Sequence, residues 1–505
     1  MIVPATQTDL VAEARQLLRR MDQGLMSIAA YDTAWVGALS HAEAPETPAF
    51  PESLEWLCYN QHPDGSWGST HEYYHDRVIS TLASVLTLAR WRACDTMLQQ
   101  CERGLDYITR AVANLDHDPY ATVGFELIVP TLLDEGERMG LRLPHARLAR
   151  YREIRRRKLA RIPPEMLYNR KNPALYSLEF MGDHLDRERA ASVQEENGSI
   201  GNSPSATAYY LRACGDEPHA RSYITQVMGS NGGGAVFSFP LEIFERAWVL
   251  YNLDLAGLWP WLREEIVPHL DYLAQVWQTE HGVGFSRCYS ICDLDDTAIT
   301  FRVLRRGGEM WGHNGASVCL DVFRAYAEPD HFRTFCFETD PSLSTNIHLL
   351  DALSVCKEAD AGAMRETILA FMRRMRSPEM FWFDKWHASP YYVTSHAIIA
   401  AAPLCPELIA GAARWLMATQ RPDGAWGYWG LPTLEETAYS LQALITYDRM
   451  VGGVPPDALH RAASYLRTHR DAHDHPPLWI SKTLFAPLHI IDSAVISALA
   501  MYEQR

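Results

Sequence analysis

Apolar residues recur along most of the chain at three- and four-residue spacing, with acidic residues near segment starts and basic ones near ends. ERGLDYITRAVANL (Glu102–Leu115) and AARWLMATQ (Ala412–Gln420) are examples. Alternating apolar and polar runs are few and short, so the pattern predicts an all-α fold. A punctuation recurs between the helical segments: QHPDGSWG from Gln61, ENGSIGNSPSATAYYL from Glu196, HGVGFSRCYSICDLDDTAITF from His281 and QRPDGAWGYWGLPTLEETAYSL from Gln420. Each is a glycine turn, an aromatic or aliphatic residue, and a short loop entering a new helix. Units of this kind bury their apolar faces only by stacking on neighbours, so the repeat predicts a solenoid or, preferably, closed α/α toroids. Asp-Gly and Asn-Gly are also ordinary turn formers, and it is the recurrence of the whole unit that favours the toroid. IPPEMLYNRKNP (Ile162–Pro173) and GSNGGGA (Gly229–Ala235) read as loops. The second lacks the Gly-Lys-Ser/Thr ending of a phosphate loop.

A chain of 505 residues exceeds one ordinary core, so two or three domains are expected. The formal charge of -16 comes with no long basic block, which argues against nucleic acid as a partner. The 10 cysteines lack zinc-finger spacing, so neither structural zinc nor a disulfide framework is expected, and a reducing cytoplasm fits. The opening MIVPATQTDLVAEARQLLRRM has neither the apolar core of a signal peptide nor the composition of a transit peptide. The most apolar window, from His396, is interrupted by Pro403, Pro406, Glu407 and Arg414, so no membrane span is expected.

The densest chemistry lies in CDLDDTAIT, where Asp293, Asp295 and Asp296 precede an apolar helical run. Such a cluster binds a metal, retains a proton, or is a solvated cap with surplus acids. A helix beginning at Asp293 places Asp293 and Asp296 on one face and turns Asp295 elsewhere. The helix N-terminus favours ionised carboxylates, whereas repulsion and burial favour a retained proton. Crowding points to protonation: a carboxylic acid facing an apolar cavity is able to protonate a carbon-carbon double bond. A DDxxD spacing, which grips a diphosphate through magnesium, is absent from the sequence.

These residues sit in a wider pattern. AAYDTAWV, FPESLEWLCYNQHPDGSWG, HDRVISTLA, VGFELIVPTLL, YSLEFMGD, NGSIGNSPSATAYYL, FPLEIFERAW, DLDDTA and FDKWHASPYY follow one another in family order, and the chain thereby resembles the class II diterpene cyclases, copalyl diphosphate synthases among them. The resemblance implies a βγ pair of α/α-barrel domains with the active site at their junction. Residues 1–50 would begin the β domain, 51–250 would form an inserted γ domain, and 251–505 would complete β. It implies that Asp295 is the general acid, set between Asp293 and Asp296, and that His348 of STNIHLL supports it, with Asn346 as second choice. A packed interior histidine is the plainer account of His348. It further implies magnesium as cofactor, held at Glu179 and Asp183, and diphosphate contacts from Lys385 and, more weakly, Arg212. Surface ion pairing is the plainer account of Arg212 and an equal rival for Lys385.

The implied reaction is protonation of geranylgeranyl diphosphate and closure to a bicyclic labdane or halimane diphosphate. With no DDxxD and no further α domain expected, the diphosphate stays attached for a downstream class I terpene synthase or phosphatase. Farnesyl diphosphate giving a drimane product, a squalene-type cyclase, and a non-catalytic toroid that binds ligands are the rivals. The cavity of such an enzyme needs aromatic faces to stabilise carbocations. Trp382, Trp386, Tyr391 and Tyr392 form one aromatic-rich stretch, although aromatics at that density are more often core. Phe237 and Arg246 stand where plant enzymes making the ent product carry Asn and His, so the plant product does not transfer.

Overall fold

A computed structural model describes residues 8–163, 165–229, 232–313, 318–336, 338, 340–472 and 474–505. The first seven residues of the polar lead, Pro164 of one expected loop and residues 230–231 of the glycine run lie outside the described residues. Helices run from Thr8–Arg20 to Leu488–Glu503, and among the described residues the only sheet is a hairpin of Trp479–Ile480 with Leu484–Phe485.

Packing sorts the helices into two closed rings. In one, Glu242–Leu255, Leu294–Trp311, Leu343–Ser354, Pro390–Ala401, Leu434–Met450 and Leu488–Glu503 each pack on the next, and the last returns to the first. Arg263–Val276, Ala359–Met375, Pro406–Thr419, Pro456–His469 and Thr8–Arg20 lie against that inner ring. The other ring joins Ala30–Gly37, Tyr74–Trp91, Phe125–Arg138, the 3-10 segment Pro173–His184 and Pro204–Cys214. The α/α toroid expectation holds. Inner and outer helices differ in sequence as this geometry requires: every residue of Pro390–Ala401 is buried, whereas Thr8–Arg20 buries the stripe Leu10, Val11, Ala14, Leu17 and Leu18.

The packing moves the divisions expected at 50 and 250. Ala30–Gly37 belongs to the first ring, where it packs on Tyr74–Trp91 and Pro204–Cys214, while Glu242–Leu255 packs on Leu294–Trp311 and Leu488–Glu503 in the second. Both helices bury residues on nearly all sides, so their composition does not tell which ring each joins.

The repeated turn is a joint between helices. Gln61, Gln194 and Gln420 each donate a side-chain N–H to the carbonyl of the turn glycine, Gly65, Gly198 and Gly424, at 2.9 Å. The next residue but one then donates its backbone N–H to a threonine in the following inner helix: Trp67 to Thr81, Ile200 to Thr207 and Trp426 to Thr437. Gly65 and Gly424 have φ of 96° and 91°, and a Cβ at either would strike the backbone of Arg103 or Arg461. Only glycine serves there.

Candidate active site

Asp293 is the N-cap of Leu294–Trp311, extended at φ -133° and ψ 159°, and its Oδ1 accepts the Asp296 N–H at 2.8 Å. The helix starts one residue later than the spacing suggests, and Asp295 does not turn away from its neighbours: all three aspartates line one cavity. Asp293 and Asp296 are buried, and Asp296 Oδ1 has no partner among the described residues. Burial pushes Asp293 up to about 7, with the Asp295 charge adding to it. Burial, then the charges of Asp293 and Asp295, drive Asp296 well above the carboxylate range. These two flanking groups are therefore held toward the neutral form.

Asp295 is the most open of the three, with 18% of its side chain exposed. His348 Nδ1 lies 2.6 Å from its Oδ1, and the Tyr392 hydroxyl stands 3.4 Å from His348 Nε2. Trp248 meets the imidazole edge-on at 4.8 Å between centroids. His348 is thus both the buried interior histidine of the plainer reading and the partner of Asp295. Asn346 is not a partner: its side chain brackets both the N–H and the carbonyl of Phe332.

The cavity above these acids has a volume of about 180 Å³ and is lined by Phe237, Leu241, Phe244, Phe285, Phe335, Trp386, Trp479 and Phe485 among others. Of the aromatic-rich stretch, Trp386 reaches this lining. Tyr392 lies behind it on His348, Tyr391 stacks on Trp415 and Trp382 donates to the Met372 carbonyl. Phe237 stacks on Phe485 at 3.8 Å, which makes that end of the cavity aromatic. Arg246 stays outside, over the Tyr272 ring and bonded to the Asp22 and Glu242 carbonyls. The one hydroxyl pair in the lining is Tyr176 and Ser481, 2.7 Å apart, one from each ring.

Lys385 lies beside the rim, over the Trp386 ring and paired with Glu338 and the Asp340 carbonyl. Arg212 does not join it. The first turn of Pro204–Cys214 faces the junction of the rings, and Arg212 lies in the last turn, about 10 Å further along the axis. There it pairs with Glu135 at 2.6 Å, so its expected contact with a substrate bound at Asp295 is corrected.

The residues expected to hold magnesium do not fit a metal. Glu179 is fully buried and bonded at 2.8 Å to Lys482 Nζ and at 2.9 Å to the Tyr31 hydroxyl. Asp183 is on the surface, paired with Arg138 at 2.6 Å. The backbone leaves helical geometry at Gly182, φ 54° and ψ -128°, and this turns the second acid away from the first. Among the described residues no group of three or more His, Cys, Asp or Glu side chains is placed to hold a metal ion.

Lys482 escaped the sequence reading. It tips the Trp479–Phe485 hairpin of the second ring, is fully buried in the first, and donates to the Tyr176 carbonyl, Glu179, Ser203 and Ser205. Its only local signal is a lysine in the apolar run LWISKTLF. Val123 and Asp76 of the first ring also bond the hairpin backbone, at Ser481 and Leu484. The hairpin therefore fixes one wall of the cavity to the other.

Fold and site together define a double α/α-ring protein with three carboxyls, two of them held toward the neutral form by burial, under an apolar cavity. No family model matches the chain. A type B diterpene cyclase of Mycobacterium tuberculosis is 35% identical over 496 residues, covering 95% of this chain and 96% of that protein. The ent-copalyl diphosphate synthase of Arabidopsis thaliana is 31% identical over 385 residues, 75% of this chain, which spans only 46% of the plant protein. The solved ent-copalyl diphosphate synthase from Streptomyces platensis matches with a TM-score of 0.79 at 28% identity, over 98% of this chain and 100% of that one. The chain belongs to the class II diterpene cyclases, and it is an enzyme.

Proposed function

We propose that the enzyme cyclises geranylgeranyl diphosphate to a bicyclic diphosphate of the labdane or halimane type and releases it with the diphosphate attached. The observation that carries this reading is the Asp295–His348 hydrogen bond beneath an aromatic cavity. With His348 Nδ1–H donating to Oδ1, the proton of the Asp295 carboxyl resides on Oδ2. Donation to Oδ1 stabilises the carboxylate left behind. Asp293 and Asp296, kept toward neutrality by burial, add little negative charge to oppose that ionisation. The Oδ2 proton passes to the terminal alkene, whose π electrons form the new C–H bond. The resulting tertiary cation is attacked by the next alkene, ring closure repeats, and a base takes the last proton to leave a neutral alkene. The aromatic faces stabilise the intermediate cations, and Lys385 at the rim offers its charge to the diphosphate.

The geranylgeranyl chain length is supported by the Arabidopsis enzyme, solved with an aza-geranylgeranyl thiolodiphosphate at a TM-score of 0.73 and 25% identity, with 98% of this chain covering 63% of that one. The product then requires a separate enzyme, a class I terpene synthase or a phosphatase, to remove the diphosphate. Ten free cysteines suit a cytoplasmic setting. Among the described residues no helix is long and apolar enough to cross a membrane.

The test is incubation of the purified protein with geranylgeranyl and farnesyl diphosphates in parallel, beside an Asp295→Asn control, with phosphatase treatment and mass spectrometry. A bicyclic C20 alcohol, found only after phosphatase and only with the unaltered enzyme, is expected. A cyclised C15 product alone would replace the substrate, and linear alcohols from both would overturn the reading.

A further inference from the structure

A larger cavity, about 1100 Å³, lies within the first ring and shares no lining residue with the cavity above Asp295. Arg90, Arg92, Arg138, Arg187, Arg212 and Arg221 line it, in a chain whose formal charge is -16. Its carboxylates are already engaged: Asp183 with Arg138, Glu135 with Arg212 and Asp216 with Arg221, each at 2.6 Å. Arg90, Arg92 and Arg187 have no carboxylate partner among the described residues, which leaves a local excess of three positive charges. Arg90 donates to the Ser40 hydroxyl at 3.3 Å and lies over the Trp91 ring, and Arg92 donates to the Ala89 carbonyl at 2.8 Å. Burial and the neighbouring Arg212 charge lower the Arg90 pKa, and the Glu135 carboxylate offsets them only in part. Trp35, Leu39, Leu185 and Leu211 supply an apolar wall beside the guanidinium groups.

We infer that this cavity is a second binding site, for the phosphate or diphosphate group of a small amphipathic molecule. Guanidinium forks match phosphate oxygens in pairs, and several converging on one space suit a multiply charged anion better than a single carboxylate. The apolar wall accommodates a hydrocarbon tail. Arg212, expected at the substrate diphosphate, and Asp183, expected at magnesium, both line this cavity.

Isothermal titration of inorganic diphosphate into the full-length chain, in metal-free buffer of low ionic strength, tests the site. The Arg90→Ala/Arg187→Ala double variant is expected to lose one binding event or weaken it at least tenfold. Lys385→Ala, which probes the proposed substrate contact separately, leaves that event unchanged. Dodecyl phosphate should bind the arginine-dependent site more tightly than inorganic phosphate if the tail is recognised, and equal affinities restrict the ligand to a free anion. A second measurement needs no variant: in the wild-type chain, diphosphate should slow phenylglyoxal modification of Arg90 and Arg187 at least fivefold while leaving surface Arg156 unaffected, as read by mass spectrometry. Diphosphate binding undiminished in a folded double variant, or modification unslowed in the wild type, overturns the inference.

Discussion

Asp295 Oδ1 and His348 Nδ1 stand 2.6 Å apart across 53 residues of chain, where the first turn of one inner helix meets the middle of the next. Asn at position 295 preserves the shape and still accepts from His348, but it has no acidic proton to give. Asp295→Asn is therefore expected to lower cyclisation by at least roughly 10²-fold, the lower range for general acid catalysis, with an unchanged circular dichroism spectrum. Product formation at the wild-type rate would mean that another group supplies the proton.

His348 acts through Asp295. Replacing it with alanine removes the donor that stabilises the departing carboxylate and leaves KM for geranylgeranyl diphosphate nearly unchanged. A fall in kcat is the expected result of steady-state kinetics. A change in KM alone would assign His348 to packing.

Lys482 of the second ring and Glu179 of the first form a fully buried ion pair at 2.8 Å. Lys482→Met strands the Glu179 carboxylate in the interior and is expected to cost about 3–5 kcal/mol in urea unfolding. Adding Glu179→Gln removes the stranded charge and should recover much of that loss. If the double variant were no more stable than the single one, the cost would lie in packing and not in the uncompensated charge.

Asp293 links stability to pH. Its folded pKa is pushed up to about 7 by burial, while in the unfolded chain it titrates near 4. Between these values the folded chain holds a proton that the unfolded chain lacks, so this group's stabilising contribution is full at low pH and lost as pH rises through 7. Asp293→Asn keeps an acceptor for the Asp296 N–H without a charge. The melting temperatures at pH 5 and pH 8 should lie closer together in the variant than in the wild type, and an unchanged difference would show that the Asp293 proton does not contribute.

Lys385 presents its charge beside the cavity rim, already paired with Glu338. Lys385→Ala should raise KM more than it lowers kcat, by roughly tenfold for the loss of one charge-assisted contact. Equal KM values for the two proteins would confine Lys385 to its pair with Glu338.

Much of the architecture was legible in the sequence because it rests on local rules. Helical spacing, the repeated turn and the need for glycine at Gly65 and Gly424 are dictated by neighbouring residues and backbone sterics, and they hold whatever lies further away. The crowding of Asp293, Asp295 and Asp296 likewise announced a retained proton. Where the resemblance carried residues over singly, the outcome depended on the backbone between them. His348 meets Asp295, whereas Gly182 separates Asp183 from Glu179 and one helix length takes Arg212 to the far cavity. The cap at Asp293, the assignment of Ala30–Gly37 and Glu242–Leu255 to their rings, and the burial of Lys482 across the junction belong to the tertiary structure alone. The physical reason is common to them: which side chain is desolvated, and by what partner it is compensated, depends on surfaces brought together from distant parts of the chain, and neither period nor motif records that meeting.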